Sequence, residues 1–303
     1  MEGGNKHGVR DEEMKLSNES RWILSFPLDR AVKRNSNPRI LTLEEAVEWI
    51  RSKHPIIWAG SALSVPEPSA FPSGYSLAHS LFSLIVPQDG KLPEAVRESF
   101  IARLTSGWPM EMLFDEFDSV SDGFSESLLD FFSRHDSTSS YNALHEAIVK
   151  YYEAGLAEIP LCVTTNWDTY IERAFQHSGM HVVVGSPTSI HYDSAKPLGE
   201  RSVFVYHPHG SFATKDVICS FAQEQQQPVT DVEFMSHPVL FIGYSGYEPS
   251  QYRNLEHGSS QLWCIRDETD LQNPAKRRLL CRENTYVYVG DMLDLLKGLA
   301  AAG

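Results

Sequence analysis

Short apolar runs alternate along this chain with segments long enough to form helices. The runs have the length of strands and are rich in β-branched and aromatic residues; they lie at residues 55–59, 161–165, 181–185, 203–207, 239–243, 261–265 and 285–289. Continuous apolar strands that alternate with helices are typical of a parallel sheet whose two faces are both covered. The sequence therefore predicts an α/β fold.

A long stretch of helical periodicity separates the first two predicted strands, at about residues 76–158. We expect it to form a helical insertion, or cap, over the sheet. Before the first strand, Thr42 and Glu45 have the spacing of a capping box, which predicts that a helix begins there. The expected organisation is a polar N-terminal arm over residues 1–38, followed by a domain over residues 39–300. That domain is predicted to be Rossmann-like, with helices on both faces of a parallel sheet and the helical insertion.

Composition and charge argue against several classes of protein. The 303 residues carry a formal net charge of −14, which repels phosphate backbones, so we expect no direct nucleic-acid partner. No apolar run approaches the roughly 20 residues that a membrane-spanning helix needs, and the polar N-terminus lacks the hydrophobic region of a signal peptide. The four cysteines are scattered and form no C-x-x-C pair. These features predict a cytoplasmic protein without membrane association and without zinc.

Polar side chains follow the second predicted strand. Residues 164–168 read Thr-Thr-Asn-Trp-Asp and precede a helix-like segment. Open α/β sheets bind ligands at the carboxyl ends of their strands, so Asn166 and Asp168 are candidate functional residues. An asparagine at this place is also able to cap the helix that begins near Thr169. Trp167 fits packing better than chemistry.

Two later strands end in a similar way. Residues 207–211 read His-Pro-His-Gly-Ser, and residues 243–246 read Gly-Tyr-Ser-Gly. We prefer His209 as a functional residue because a glycine follows it directly. His207 would share the same side of a strand, and a structural role for the histidine stays open. Ser245 fits a turn as well as it fits a phosphate ligand.

A run of small residues, Gly-Ser-Ala-Leu-Ser at residues 60–64, follows the first predicted strand. Small residues at such a turn let the phosphates of a ligand approach the backbone and the next helix N-terminus. The run lacks the full G-x-G-x-x-G pattern, and taken alone it fits a plain strand-to-helix turn equally well. Three such strand ends, however, are able to line one crevice.

Together these segments resemble the sirtuin-like (silent information regulator-like) superfamily, and specifically its zinc-free bacterial defence-type branch. Residues 60–64 are similar to the family's phosphate-binding Gly-Ala-Gly-x-Ser, and residues 164–168 to its Thr-x-Asn-x-Asp. Its His-Gly-Ser is similar to residues 209–211 and its Gly-x-Ser to residues 243–245. The similar segments occur in the family's order over roughly residues 40–300.

The sequence also departs from the family pattern. The third glycine of the phosphate loop is Ala62, and Thr165 stands where the family has glutamine. The arginine that deacylating members carry has no counterpart near Gly74, and the zinc-binding cysteines are absent. These departures leave NAD binding in place but weaken the case for an acyl-lysine substrate, so water is the better candidate for the nucleophile.

The resemblance implies an NAD-consuming hydrolase, an NAD glycohydrolase that cleaves NAD to nicotinamide and ADP-ribose. NAD is then a substrate. Asn166 is able to hold a ribose hydroxyl or the attacking water, because its amide both donates and accepts. Asp168 grips the nicotinamide carboxamide, as the resemblance implies, and His209 accepts a proton from a ribose hydroxyl or from water. The residues expected to bind NAD are Gly60, Ser61, Ala62, Ser64, Thr165, Gly243 and Ser245.

The same resemblance implies a gated effector in bacterial anti-phage defence. Because uncontrolled NAD loss is lethal, we expect activity to be gated by homo-oligomerisation, by a partner protein, or by both. Two alternatives stay open: an NAD-dependent protein deacylase, and a non-catalytic sensor that binds NAD or ADP-ribose. A deacylase needs an apolar groove for the acyl-lysine, whereas the presence of both Asn166 and His209 argues against a sensor.

Overall fold

A computed structural model of the chain describes residues 37–87, 93–108, 110–189, 192–193, 198–220, 223, 236–246, 259–272 and 274–301. Nearly all of the predicted N-terminal arm, residues 1–38, lies outside the described residues. The strands, in chain order, are β1 (Arg39–Leu41), β2 (Ile56–Ala59), β3 (Leu161–Thr164), β4 (His181–Gly185), β5 (Ser202–Tyr206), β6 (Val239–Ile242), β7 (Gln261–Ile265) and β8 (Thr285–Val289).

The helices include one that begins directly after Thr42, as predicted, and five that begin within residues 74–143, where the sequence predicts a helical stretch. In chain order they are α1 (Leu43–Lys53), α2 (Gly74–Ile85), α3 (Glu94–Gly107), α4 (Met110–Val120), α5 (Phe124–Thr138), α6 (Ala143–Glu153), α7 (Tyr170–His177), α8 (Pro274–Leu280) and α9 (Met292–Ala301). None of the helices within the described ranges is both long enough and apolar enough to cross a membrane.

The described strands form one eight-stranded sheet in the order β1-β8-β7-β6-β2-β3-β5-β4, and every neighbouring pair is parallel. The predicted α/β class is therefore confirmed. From β2 the chain continues to β3 on one side, and it returns later to β6 on the other side. A reversal of strand order of this kind opens a crevice at the carboxyl ends of the central strands, where such sheets bind ligands.

Side chains of the central strands alternate between two apolar layers. In β2, Ile57 and Ala59 pack into the layer that contains buried residues of α1, α6, α7 and α9. Ile56 and Trp58 point the other way and pack with Leu279 and Leu280 of α8 and with aromatic residues of β5 to β7. The prediction of helices on both faces is confirmed, and it explains why the strands read as continuous apolar runs.

The start of α1 has the reciprocal cap that the sequence predicts. The Glu45 backbone N–H donates to Thr42 Oγ1 at 3.2 Å, and the Thr42 N–H donates to Glu45 Oε2 at 2.8 Å. The sequence did not predict β1, which is three residues long and largely exposed at the edge of the sheet. Its strand character depends on parallel pairing with β8, a contact that no local pattern reveals.

The helical stretch between β2 and β3 divides into two parts. Helices α2 to α5 share apolar clusters of their own, whereas α6 packs against α7 and α9 in the layer that covers the sheet. Phe71, Trp167 and Phe212, which follow β2, β3 and β5, pack with the α2, α4 and α5 side chains. The cap helices therefore pack on the segments that leave the carboxyl edge of the sheet.

Candidate functional site

The segments that follow β2, β3, β5 and β6 meet at the carboxyl edge of four adjacent strands. The Thr165 N–H donates to the carbonyl of Ala59 at 3.1 Å, which joins the end of β3 to the end of β2. The Ala62 N–H donates to the carbonyl of Gly243 at 3.1 Å, which joins the segment after β2 to the turn after β6. The fold thus brings together the segments that the sequence singled out.

Glycine is required where the segments after β2 and β6 touch. A Cβ atom on Gly60 would lie 2.4 Å from Tyr244 Cα and 2.5 Å from the Gly243 oxygen, closer than any side chain permits. Residues Ser61–Leu63 form a single 3₁₀ turn, and the next α-helix begins only at Gly74. Gly60 therefore serves close backbone approach, and the run of small residues does not form a direct strand-to-helix turn.

Ser64 is the centre of a buried hydrogen-bond network. Asn166 Nδ2 donates to Ser64 Oγ at 3.1 Å, and His145 Nε2 lies 3.3 Å from the same oxygen. His145 Nδ1 lies 3.2 Å from the Asn142 N–H, a donor, and 3.0 Å from Asn142 Oδ1, an acceptor. We assign the ring proton to Nε2, which donates to Ser64, because the Ser64 hydroxyl then keeps its own proton for Asp168. Burial lowers the pKa of His145 to about 3, so the ring is neutral. The Ser64 hydroxyl then donates its own proton to the Asp168 carboxyl.

This network determines which side-chain atom of Asn166 stays available to a ligand. Because Nδ2 is taken up by Ser64, the carboxamide presents Oδ1 as an acceptor. Oδ1 is buried and has no hydrogen-bond partner among the described residues. Asn166 does not cap α7, since the N-cap position is Thr169. The first N–H of the helix, that of Tyr170, donates to Asp168 Oδ1 at 3.2 Å. The helix-capping alternative for Asn166 is therefore wrong.

Asp168 is a buried carboxyl group with an altered proton affinity. Burial raises its pKa from the ordinary 3.8 to about 7, the hydrogen bond from Ser64 opposes this rise, and the nearby carboxylates of Asp136 and Glu172 add to it. Near neutral pH the group is divided between acid and carboxylate. In the first form it donates to a ligand and in the second it accepts, so either form is able to bind a carboxamide.

His209 follows β5 and is buried at the same edge of the sheet. Its Nε2 has no hydrogen-bond partner in the described part of the chain, and burial lowers the pKa of the ring to about 4. The imidazole is therefore neutral at physiological pH. Gly210 has a φ of +64°, and a Cβ there would lie 2.1 Å from the Asp216 carbonyl oxygen, so the turn after His209 accepts only glycine.

His207 has a different environment from His209, although both follow β5. Its Nδ1 lies 2.8 Å from the carbonyl oxygen of Asn166, and its Nε2 lies 2.8 Å from Glu172 Oε1. Both ring nitrogens are thus engaged within the protein, which leaves neither for a ligand. This contrast supports the preference for His209.

The remaining candidate residues lie at the edges of the site. Ser61 is half-buried, and its hydroxyl accepts from the Gly74 N–H at 3.4 Å, which joins the loop to the start of α2. Ser245 is exposed, as a turn residue would be. The Trp167 ring packs edge-on against Phe114 of the cap with centroids 5.8 Å apart, in agreement with the packing role expected for it.

Sequence reasoning missed three residues that shape the site: Asn142, His145 and Glu172. His145 lies 81 positions from Ser64, and no local pattern connects the two. Glu172 lies four residues after Asp168, which is helical spacing, and that signal was available in the sequence. No cluster of three or more His, Cys, Asp or Glu side chains among the described residues is placed to hold a metal ion.

Comparisons with known proteins agree with the position of these segments. Residues 160–260 match a family model described as "SIR2-like domain", and this range includes the segments after β3, β5 and β6. The match supports a place in the sirtuin-like superfamily. It does not include residues 60–64.

Among solved structures, a mutant Sir2 homologue in complex with 2'-O-acetyl ADP-ribose is similar at 13% identity and a TM-score of 0.48, over 86% of this chain and 97% of that chain. A Sir2 homologue in complex with NAD is similar at 13% identity and a TM-score of 0.45, over 86% of this chain and 94% of that chain. No curated protein matches the sequence.

Proposed function

We propose that this protein is an NAD glycohydrolase that releases nicotinamide and ADP-ribose. The observation that carries the proposal is a pair of buried polar atoms, Asn166 Oδ1 and His209 Nε2, that have no partner among the described residues. Buried polar atoms are costly when unsatisfied, so a pair of them at the carboxyl edge of a parallel sheet favours a polar ligand there. The SIR2-like match over residues 160–260, together with the family resemblance, favours NAD as that ligand.

The reaction breaks the bond between the ribose C1' and the nicotinamide nitrogen. The bonding electron pair leaves with nicotinamide, whose positively charged nitrogen becomes neutral, and an oxocarbenium-like ribose remains. Water adds to C1' and gives up a proton. Asn166 Oδ1 accepts a hydrogen bond from a ribose hydroxyl or from this water, which positions the reacting groups.

His209 is the proposed proton acceptor. Its pKa of about 4 makes the neutral ring a weak base. A weak base suffices because the oxocarbenium-like carbon is a strong electrophile, so the attacking water loses its proton only as the new C–O bond forms. Burial also keeps bulk water from competing for the ring nitrogen.

Asp168 is proposed to bind the nicotinamide carboxamide. Its carboxylate form accepts from the carboxamide NH₂, and the hydrogen bonds from Ser64 and from the Tyr170 N–H hold it in place. The backbone around residues 60–64 and Gly243 is proposed to receive the phosphates, with Thr165 and Ser245 at the margins. At Gly60 and Gly243 a Cβ atom would meet neighbouring backbone.

Product analysis tests the proposal. Purified protein is incubated with NAD, with and without an acylated peptide, and the products are resolved by chromatography. We expect nicotinamide and ADP-ribose in equal amounts, without peptide. Asn166→Ala and His209→Ala are expected to lower the cleavage rate at least about 100-fold, since each removes a group that positions or deprotonates the nucleophile.

Matched controls exist for both substitutions. Asn284→Ala and His181→Ala change the same residue types at exposed positions outside the site, and we expect both to cleave NAD like the wild type. NAD cleavage that persists in Asn166→Ala or His209→Ala would exclude our assignment of the site. Peptide deacylation in step with NAD loss would favour the deacylase, and ADP-ribose binding without cleavage would favour the sensor.

We further propose that the activity serves anti-phage defence and is gated. The resemblance to the defence-type branch suggests this role, and the need for gating follows from the lethality of unregulated NAD loss. Self-assembly, a partner protein, or both are the proposed means of control.

A further inference from the structure

Two buried ionisable side chains, Glu172 of α7 and His207 after β5, form a pair next to the backbone carbonyl of Asn166. His207 is fully buried, and Glu172 is 3% exposed. His207 Nε2 lies 2.8 Å from Glu172 Oε1, and His207 Nδ1 lies 2.8 Å from the carbonyl oxygen of Asn166. Neither residue takes part in the bond-breaking steps proposed above.

The two contacts specify the protonation of His207. A carbonyl oxygen and a carboxylate oxygen are both acceptors, so both ring nitrogens carry a proton when Glu172 is ionised. Burial alone would lower the pKa of His207, but the Glu172 carboxylate and the two hydrogen bonds more than offset this, and the net effect raises the pKa. The pair is then a buried imidazolium and carboxylate.

The imidazolium connects two strand-end segments at the point where chemistry is proposed. Through Nδ1–H it holds the Asn166 carbonyl, and through the chain it is two residues from His209. A second bond, from the Phe212 N–H to the Trp167 carbonyl at 2.9 Å, joins the same two segments. The backbone that carries Asn166 and the backbone that carries His209 are thus held in register.

We propose that Glu172 and His207 are positioning residues that hold the Asn166 backbone so that Asn166 Oδ1 and His209 Nε2 face the same ribose. This role rests on the proposed NAD cleavage. Charge-assisted hydrogen bonds suit it, because they are shorter and stronger than neutral ones. Small errors in placement are costly for reactions that depend on alignment.

The test replaces both members of the pair at once. Glu172→Leu/His207→Leu removes both buried charges together, and apolar replacement of a buried ion pair is often tolerated by the fold. The Asn166 carbonyl loses its donor. We expect kcat for NAD cleavage to fall about 10- to 100-fold, while KM and the calorimetric Kd for ADP-ribose change less than about threefold and the melting temperature stays within a few degrees.

Conservative and matched variants separate positioning from folding. Glu172→Gln leaves His207 able to donate from Nδ1 to the Asn166 carbonyl, so we expect it to restore most of the kcat lost in the Leu pair. Glu158 and His237 form an exposed pair of the same residue types, 3.2 Å apart, and Glu158→Leu/His237→Leu is expected to keep the wild-type kcat. If the variant with both Leu substitutions does not fold, His207→Leu/Glu172→Gln replaces it. This variant removes the donor to the Asn166 carbonyl and leaves no buried charge at the pair, and we expect the same fall in kcat.

The outcomes are distinguishable. A wild-type chain that cleaves no NAD overturns the proposed function and this role together. A wild-type chain that cleaves NAD, with a buried double variant that keeps full kcat, overturns the positioning role alone. The positioning role is also overturned if kcat falls only in proportion to the amount of folded protein and Glu172→Gln does not restore it.

Discussion

Asp168 destabilises the fold in which it is placed. Its pKa is raised from 3.8 to about 7 by burial, so the native state keeps a proton that the unfolded chain releases near pH 4. Between these two values the native state binds more protons than the unfolded state, and the free energy of unfolding falls as pH rises. Above about pH 7 this group causes no further fall in the free energy of unfolding. A group that costs stability at working pH is a candidate for function.

Asp168→Asn is therefore expected to stabilise the protein at pH 8, by roughly 4 kcal/mol for a pKa shift of this size. The new amide still accepts from the Tyr170 N–H through its oxygen. The difference from the wild type should shrink as pH falls toward 4, and it disappears only below the unfolded-state pKa of 3.8, where the wild-type carboxyl is protonated in both the native and the unfolded state. Urea unfolding at pH 8 and at pH 4.5 measures it.

The exposed Asp122→Asn is the control for this comparison and should leave stability nearly unchanged at both values of pH. Equal stability of Asp168→Asn and the wild type at pH 8 would contradict the expectation. It would show that the buried carboxyl is compensated by its hydrogen bonds more fully than its surroundings suggest.

The turns that leave the strands position the candidate functional groups, and their glycines are constrained in different ways. Gly60 has an extended φ of −120°, but a Cβ there would meet the backbone of the β6 turn. Gly210 is constrained twice, because its φ is +64° and a Cβ would meet the Asp216 backbone. These contacts couple each turn to its neighbour, so a change in one turn is transmitted to the other.

Gly210→Ala is expected to lower NAD cleavage at least about tenfold, since relief of a 2.1 Å contact with the Asp216 carbonyl must move the backbone that carries His209. Gly155→Ala is a matched control: its φ is +65°, yet nothing lies within 4 Å of the added Cβ. Both variants carry the left-handed strain of roughly 1 kcal/mol. Melting temperatures and cleavage rates measure the two effects.

Only Gly210→Ala should lose activity beyond its loss of stability. Similar cleavage rates in the two variants would show that the turn after β5 tolerates displacement and that His209 does not need the placement proposed for it.

At the scale of the molecule, the fold brings four separate strand ends together into one candidate site. All the strands of the sheet are parallel, so their carboxyl ends lie at one edge, and strand order reverses between the neighbouring strands β2 and β6, where such sheets bind ligands. The cap helices α2, α4 and α5 pack on the segments that leave this edge.

The proposed gating of NAD cleavage concerns the whole molecule and its assemblies. If self-assembly controls activity, NAD cleavage per mole of protein should rise with protein concentration over the range in which sedimentation velocity shows monomers becoming assemblies. If a partner protein controls it, the rise should require that protein. An inactive monomer, alone and in every candidate complex, would contradict both forms of the proposal.

Most of the strands and the class of the fold were predictable from the sequence, because apolar periodicity and strand length are local properties. Strands β3 to β8 lie within one residue of the predicted positions, and the cap at Thr42 was evident from two residues. The edge strand β1 was not predictable, since it depends on pairing with β8. Strand order, which decides where the crevice opens, is likewise absent from any local pattern.

The candidate site divides in the same way. Asn166, Asp168 and His209 follow apolar strands in the sequence, so they could be singled out by their positions. The partners that orient and charge them come from distant parts of the chain: His145 reaches Ser64 from α6, and the Glu172–His207 pair forms between α7 and the end of β5. The local sequence determines the residue types and the positions at which strands end. Burial, hydrogen-bond partners and pKa values depend on the tertiary structure, because they arise only when packing brings remote segments into contact.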